Sequence, residues 1–266
     1  LSYRMKSRIL HNLHFALGDA LSPDQRRRIA RQVIQNVAKN WFELFYYGGS
    51  DKKTVEDAVS IEGKENLDQA LTRGRGVIAV SAHLSNYPIL AQQFSRKGYN
   101  FVMVIRDPKS SVIAAMYEKG RELIELRSLL TVPERQFYRN ALRILNSNGI
   151  LCLIADENKR NGGIFVDFFN HQASTAPGPA ALALRTGAPI IPIFLIRNPD
   201  NSLRVIVEKE IPLQHTGDAQ KDMQALTAAY TRLIETCVRR DLSQWMWTNF
   251  RWRTQPWGQS DEAKLK

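Results

Sequence analysis

His83 closes an apolar run, GVIAVSA, and a polar stretch, Leu84, Ser85 and Asn86, follows it. Arg106 follows the run NFVMVI. Asp156 follows ILCLIA, with Glu157 and Asn158 behind it, and Arg197 follows PIIPIFLI. An imidazole titrates near neutrality and suits general-base work, provided something orients it. A carboxylate commonly does so, and Asp156 or Glu157 fills that role if the strands bring them near. Arg106 suits bidentate binding of a phosphate or carboxylate, or equally a surface ion pair.

Other chemistries lack their signatures. No G-x-S-x-G elbow marks a serine hydrolase. Neither a phosphate-binding G-x-x-x-x-G-K-[ST] loop nor a dinucleotide-binding glycine pattern follows a strand. No His/Cys/Asp spacing suggests a metal site. Cys152 and Cys237 form no disulfide scaffold, which points to a reducing compartment, the cytoplasm.

The elements that must position these groups read as an α/β chain. Six strand-like runs begin GVIAVSA, NFVMVI, ILCLIA, GIFVDFF, PIIPIFLI and LRVIVEKEI, with helical stretches between most of them. Several are apolar on both faces, as in a mostly parallel sheet flanked by helices. Ligands of such sheets bind beyond the carboxyl ends of the strands, where His83, Arg106, Asp156 and Arg197 fall. The spacing divides the chain into an N-terminal helical segment, 1–50, and an α/β domain, 64–258, in one structural unit.

Within the N-terminal segment, Met5, Ile9, Leu10, Leu13 and Leu17 recur at helical spacing beside Arg4, Lys6 and Arg8. Such a helix packs on a core with a solvated basic face, or lies on an anionic membrane. Ser22, Pro23 and Gln25 predict a capped second helix. Its far end crowds Trp41, Phe42, Phe45, Tyr46 and Tyr47, for which core packing is expected ahead of a membrane-interface cluster.

The 266 residues carry a formal net charge of +11, with 44% hydrophobic and 24% charged residues. This is a globular composition, and the basic surplus calls for an anionic partner. No apolar run reaches the ~18–20 residues of a membrane span. No helix-turn-helix, zinc-finger or RNA-recognition signature accompanies the charge, so a nucleic-acid partner is not expected.

Four stretches resemble the bacterial lipid A biosynthesis acyltransferases, the late, secondary acyltransferases related to phosphatidylinositol mannoside acyltransferases. SAHLSNYP is similar to that family's His-x4-Glu block, and IRDP follows the next strand. The stretch ADENKRNGGIFVDFFNHQASTAPGPAALALRTGAPIIPIF carries its acid block, its Phe-Val-x-Phe-Phe strand, its Thr-x-Gly-Pro turn and its Thr-Gly-Ala-Pro. QWMWTNFRWRTQP is similar to its aromatic, basic ending.

The resemblance implies a glycerolipid acyltransferase-like fold. It implies transfer of a fatty acyl group from acyl carrier protein or acyl-CoA to a hydroxyl of a membrane lipid or glycolipid. His83 would be the general base, with Asp156 also catalytic. Asn86, Arg106, Glu157, Asn158, Thr175 and Gly178 would bind substrate. No metal or further cofactor is implied. The implied location is the cytoplasmic face of the bacterial inner membrane, against an anionic surface, with a membrane helix ahead of Leu1. Phe94, Phe101 and Met116 are candidates to line an acyl pocket. The tail residues Trp245, Trp247, Arg251, Trp252 and Arg253 would sit near headgroups or cap the sheet.

The chain departs from the pattern where the family's acid, five residues after the histidine, is Pro88. Three readings stay open. Asp156 or Glu157 supplies the carboxylate, His83 works without one, or the protein binds lipid without catalysis. The family's second acid is likewise replaced, by Asn158.

Overall fold

The computed structural model describes residues 3–106, 110–213 and 216–256. Asp107 and Pro108 of the IRDP stretch, residues 257–258 and the side chain of Met116 lie outside that description.

Two helices open the fold, α1 (Tyr3–Leu17) and α2 (Pro23–Gly48). Ser22 caps α2 as its sequence predicts. Its hydroxyl accepts from the Gln25 N–H (3.2 Å), and the Gln25 side chain accepts from the Ser22 N–H (2.7 Å). Ile9, Leu13 and Ala16 of α1, with Ala30 and Val33 of α2, enter the main core. Burying Ile9 or Leu13 contributes roughly 1.5–3 kcal/mol each, which holds α1 against the body.

The α/β part follows in chain order. It runs α3 (Lys52–Ala58), β1 (Val59–Glu62), α4 (Lys64–Leu71), β2 (Val77–Ser81), α5 (Ile89–Arg96) and β3 (Phe101–Ile105). Next come α6 (Ser111–Leu123), β4 (Ser128–Leu130), α7 (Glu134–Asn146) and β5 (Ile150–Ile154). After the hairpin β6 (Ile164–Phe168) and β7 (His171–Thr175) come α8 (Gly178–Thr186), β8 (Ile190–Arg197), β9 (Leu203–Val207) and α9 (Ala219–Arg240).

The central sheet has the order β1-β9-β8-β2-β5-β3-β4. Its pairs are parallel except β8 with β9. Successive side chains of a strand point to opposite faces, so each central strand feeds two cores. Ile78 and Val80 of β2 and Leu151 and Leu153 of β5 pack under α1, α2, α7, α8 and α9. Val77 and Ala79, with Ile150 and Cys152, pack under α4 and α5. Gly76 sets the entry to β2 with φ +67. A Cβ there would lie 2.7 Å from the carbonyl oxygens of Leu145 and Gly149, so both geometry and space require glycine.

GIFVDFF is a strand as its sequence predicts, but β6 pairs with β7 in a separate antiparallel hairpin and not in the central sheet. Two expectations are corrected. The short strands β1 and β4 join the two edges of the sheet, where little alternation is needed. The aromatic end of α2 is not core. Trp41, Phe42, Phe45 and Tyr46 are exposed, Phe42 by 78%, while Tyr47 packs partly against the second core. Phe94 and Phe101 instead stack on each other in that core (centroids 5.1 Å apart) and are fully buried, so they line no open pocket. Among the described residues no helix is long and apolar enough to cross a membrane.

Candidate active site

The register of the parallel pair β2–β5 matches Ser81 to Ile154, so both strands end side by side. His83 and Asp156 therefore leave the sheet at the same edge, although β3 lies between β2 and β5 in sequence. His83 Nδ1 lies 2.7 Å from Asp156 Oδ1, and the His83 backbone N–H donates to Asp156 Oδ2 (2.8 Å). A carboxylate only accepts, so Nδ1 carries a proton, and in the neutral ring Nε2 keeps its lone pair. Nε2 lies 3.8 Å from an exposed carboxylate, that of Glu157. The His83 ring also meets Tyr87 edge-on, with centroids 4.9 Å apart.

Asp156 is fully buried, and burial alone would raise its pKa. The imidazole, the Trp245 indole N–H (2.7 Å to Oδ2) and the His83 backbone outweigh that, and hold the carboxyl below its usual range. Burial in turn lowers the pKa of His83, but the charge and hydrogen bond of Asp156, with Glu157 adding to them, raise it above 6.5 overall. A buried cation stands behind the pair. Arg251 donates to the Ser174 carbonyl (2.9 Å) and to Thr175 Oγ1 (2.5 Å). Desolvation depresses its pKa to about 10, against the pull of Asp156.

The polypeptide after His83 is held from two sides. The C-terminal segment runs beside it. Met246 N–H donates to His83 O (3.1 Å), and Ser85 N–H donates to Gln244 O (2.9 Å). On the other side, α2 supplies Asn40, whose amide donates to Ser85 O (2.7 Å). Ser85 itself adopts φ +46, a conformation that only a well-braced loop keeps in a non-glycine residue.

The remaining candidate residues divide. Asn86 is buried, and its amide donates to Asn40 O (2.9 Å) and Glu43 Oε2 (3.1 Å), which ties the loop to α2. Arg197 is also buried. It forms a bidentate ion pair with Glu43, one arm at 2.8 Å, and donates to Asn40 Oδ1 (2.9 Å). It therefore pins α2 to the end of β8 and does not join His83 at an open edge. Arg106 is exposed at the end of β3, beyond β5 from β2. Thr175 is buried beneath Arg251. Gly178 opens α8, where a Cβ would make only ordinary contact with Leu153, so the fold itself does not demand glycine there. Asn158 exchanges two hydrogen bonds with Thr254, fastening the tail (3.0 and 3.1 Å).

The tail thus caps the body through four buried side chains, while Arg253 is only partly buried. Trp245, Trp247, Trp252 and Arg251 are buried, and Asn12 of α1 holds the Trp247 and Asn249 carbonyls at 2.7 and 2.9 Å. The role of Trp245 was not readable from its position in the sequence. The only signal was general, that a buried indole N–H needs an acceptor. Pro88 precedes the first residue of α5 with φ −60, a conformation suited to starting a helix. Among the described residues no group of three or more His, Cys, Asp or Glu side chains could share a metal ion.

Beside Glu157 opens a cleft of about 600 Å³, walled by α1, the turn after Asp156 and the tail. Arg4 and Arg8 of the first helix reach its rim, so the basic face of α1 borders a cavity.

Residues 1–254 match the family model described as bacterial lipid A biosynthesis acyltransferase. The phosphatidylinositol mannoside acyltransferase of Mycolicibacterium smegmatis is 26% identical over 210 residues, 78% of this chain and 68% of that protein. The lipid A biosynthesis lauroyltransferase of Escherichia coli is 22% identical over 262 residues, 96% of this chain and 81% of that protein. The lipid A biosynthesis palmitoleoyltransferase of the same organism is 24% identical over 208 residues, covering 75% and 63%. With the match running through both N-terminal helices, the sheet and the tail, the chain belongs to the bacterial lipid A biosynthesis acyltransferase family.

Proposed function

We propose that this protein transfers a fatty acyl group from a thioester, acyl carrier protein or acyl-CoA, to a hydroxyl of a membrane lipid or glycolipid, with His83 as general base. The observation that carries the reading is the pair His83–Asp156, with Nδ1 bound at 2.7 Å, which in the neutral ring leaves the lone pair on Nε2. In the reaction, Nε2 takes the proton of the acceptor hydroxyl as its oxygen attacks the thioester carbonyl. The tetrahedral intermediate then expels the thiolate, which receives that proton from the imidazolium. Asp156 keeps the ring in the productive tautomer and stabilises its positive charge. No further cofactor takes part.

The alternative of lipid binding without catalysis was motivated by Pro88. It loses that motive once a buried carboxylate stands at Nδ1. Glu157, beside Nε2, and Arg106, at the same edge of the sheet, are available to the substrates. The protein works at the cytoplasmic face of the inner membrane. The net charge of +11 and the exposed aromatic end of α2, close to the His83 loop through Asn40 and Glu43, support that placement.

The test is transfer of a labelled acyl group from acyl carrier protein or coenzyme A to extracted membrane lipids, with wild type beside His83→Ala. A labelled lipid formed by wild type alone is the expected result and names the acceptor. Equal labelling by both, or none by wild type with any donor, removes the reading.

A further inference from the structure

The cleft beside Glu157 is strongly cationic. Ten residues line it, of which four are arginines, Arg4, Arg8, Arg160 and Arg253, and one is a carboxylate, Glu157. The arginines come from three separate parts of the chain: α1, the turn after β5 and the tail. Two of them converge on one ring. The Arg8 guanidinium lies 4.0 Å from the Phe250 centroid and that of Arg253 lies 5.5 Å from it. Contact with the aromatic face orients the Arg8 guanidinium without consuming its in-plane donors. Arg8 uses one nitrogen on the Thr248 carbonyl (3.4 Å), which fixes the direction of its fork.

Gathering like charges around one cavity costs Coulomb energy that a bound anion returns. The forked donors of arginine match tetrahedral phosphate oxygens better than they match a point charge. The cleft also adjoins the reacting position, since Glu157 lines it and reaches to 3.8 Å from His83 Nε2. An anion seated there lies within reach of a molecule whose reacting atom is at His83.

We propose that this cleft binds a phosphate group of a substrate, holding the molecule while its hydroxyl or thioester sits at Nε2. The proposal rests on the acyltransferase reading of His83 for the purpose of the site, but not for its chemistry. Two substrates carry such a group: the acceptor in a phosphorylated headgroup, the donor in its pantetheine or nucleotide portion.

The experiment is calorimetric titration of the intact protein with coenzyme A and, separately, with a short-chain phosphatidylinositol. Wild type, His83→Ala and the double variant Arg4→Gln/Arg160→Gln are compared, with Tm checking that each is folded. Arg4 and Arg160 are exposed, so the fold should survive their loss. Wild type and His83→Ala should bind at least one probe alike, and the double variant should bind that probe about tenfold or more weakly. Weakening for coenzyme A assigns the cleft to the donor's phosphates. Weakening for the phosphoinositide assigns it to the acceptor's. Undiminished affinity in the folded double variant, or no binding of either probe to wild type, overturns the proposal. Binding is read without turnover, so an enzyme that binds a probe but transfers no acyl group disproves the catalytic reading alone.

Discussion

His83 and Asp156, 73 residues apart in sequence, are joined twice: by ring nitrogen to carboxylate at 2.7 Å, and by backbone N–H to the other carboxylate oxygen at 2.8 Å. The second bond fixes the strand end as well as the ring. The acid is therefore built into the sheet edge, on the strand next to that of the histidine, and not on the helix that follows it.

The first prediction concerns the pair itself. His83→Ala and Asp156→Asn should each lower the transfer rate by about 10²–10⁴-fold, and the double variant should lose little more, because the two act as a unit. A base must be neutral to accept a proton. Since the pKa of His83 lies above 6.5, the rate should rise with pH through that higher value. In Asp156→Asn burial prevails, and the acid limb should move to lower pH. A limb that stays put would mean that Asp156 does not set the basicity of His83.

Pro88 allows a second test. With Nδ1 already held by Asp156, a carboxylate at position 88 has no vacancy to fill. Pro88→Glu should leave the rate as it is while Asp156 is present; in Asp156→Asn, where no carboxylate holds Nδ1, the same substitution asks whether position 88 reaches the ring. Restored turnover in that double variant would show that position 88 can also orient the imidazole.

Much of this arrangement was legible before the fold. The apolar runs fixed β2, β3, β5 and β8 to within a residue or two, and placed His83 and Asp156 at strand ends. Strand order was not legible, because β2 pairs with β5 although β3 and β4 lie between them in sequence, and nothing local in either run encodes its neighbour. The three-residue β4 and the polar β7, HQAST, lack the alternation that marks a half-buried strand. Arg197 misled for a related reason. Its position promised an open edge, but its partner Glu43 lies 154 residues away on α2, and only the packed structure joins them. The aromatics of α2 misled in the opposite sense, since a continuous apolar stripe does not say where the core beneath it ends.

Trp245 should matter through one atom. Trp245→Phe keeps a ring in the buried aromatic cluster but deletes the N–H that Asp156 Oδ2 accepts at 2.7 Å. Loss of a hydrogen bond to a buried charge costs about 1.5–3 kcal/mol. The carboxyl should then titrate at higher pH, with Tm falling and the transfer rate dropping about tenfold or more. The measurement is the pH dependence of kcat and of Tm together. A fall in Tm with an unchanged rate profile would reduce Trp245 to packing.

The Arg197–Glu43 pair should be structural. Glu43→Gln leaves a buried guanidinium without its counter-charge, and such single losses cost about 3–5 kcal/mol. Urea unfolding should report that loss. The double variant Arg197→Met/Glu43→Met should recover much of it, because no charge is then left buried. Since Asn86 also donates to Glu43, the single variant should loosen the loop after His83, seen as faster amide exchange at Ser85 and Asn86. Stability loss without faster exchange there would separate the ion pair from the loop.

The exposed end of α2 gives the last prediction. Trp41, Phe42, Phe45 and Tyr46 project from the same turns whose Asn40 and Glu43 hold the His83 loop, so a surface that accepts the aromatics lies close to the site. Indole and phenol rings favour the headgroup level of a bilayer, and a basic protein is drawn to an anionic leaflet. Trp41→Ser/Phe42→Ser/Phe45→Ser removes side chains whose burial is worth roughly 1.5–3 kcal/mol each. Sedimentation with vesicles of anionic phospholipid should show binding weakened well beyond tenfold, with Tm unchanged because the rings are exposed in the fold. Turnover of a water-soluble short-chain acceptor should persist, since the dyad is untouched. Undiminished vesicle binding by the folded triple variant would rule out the end of α2 as a membrane-facing surface.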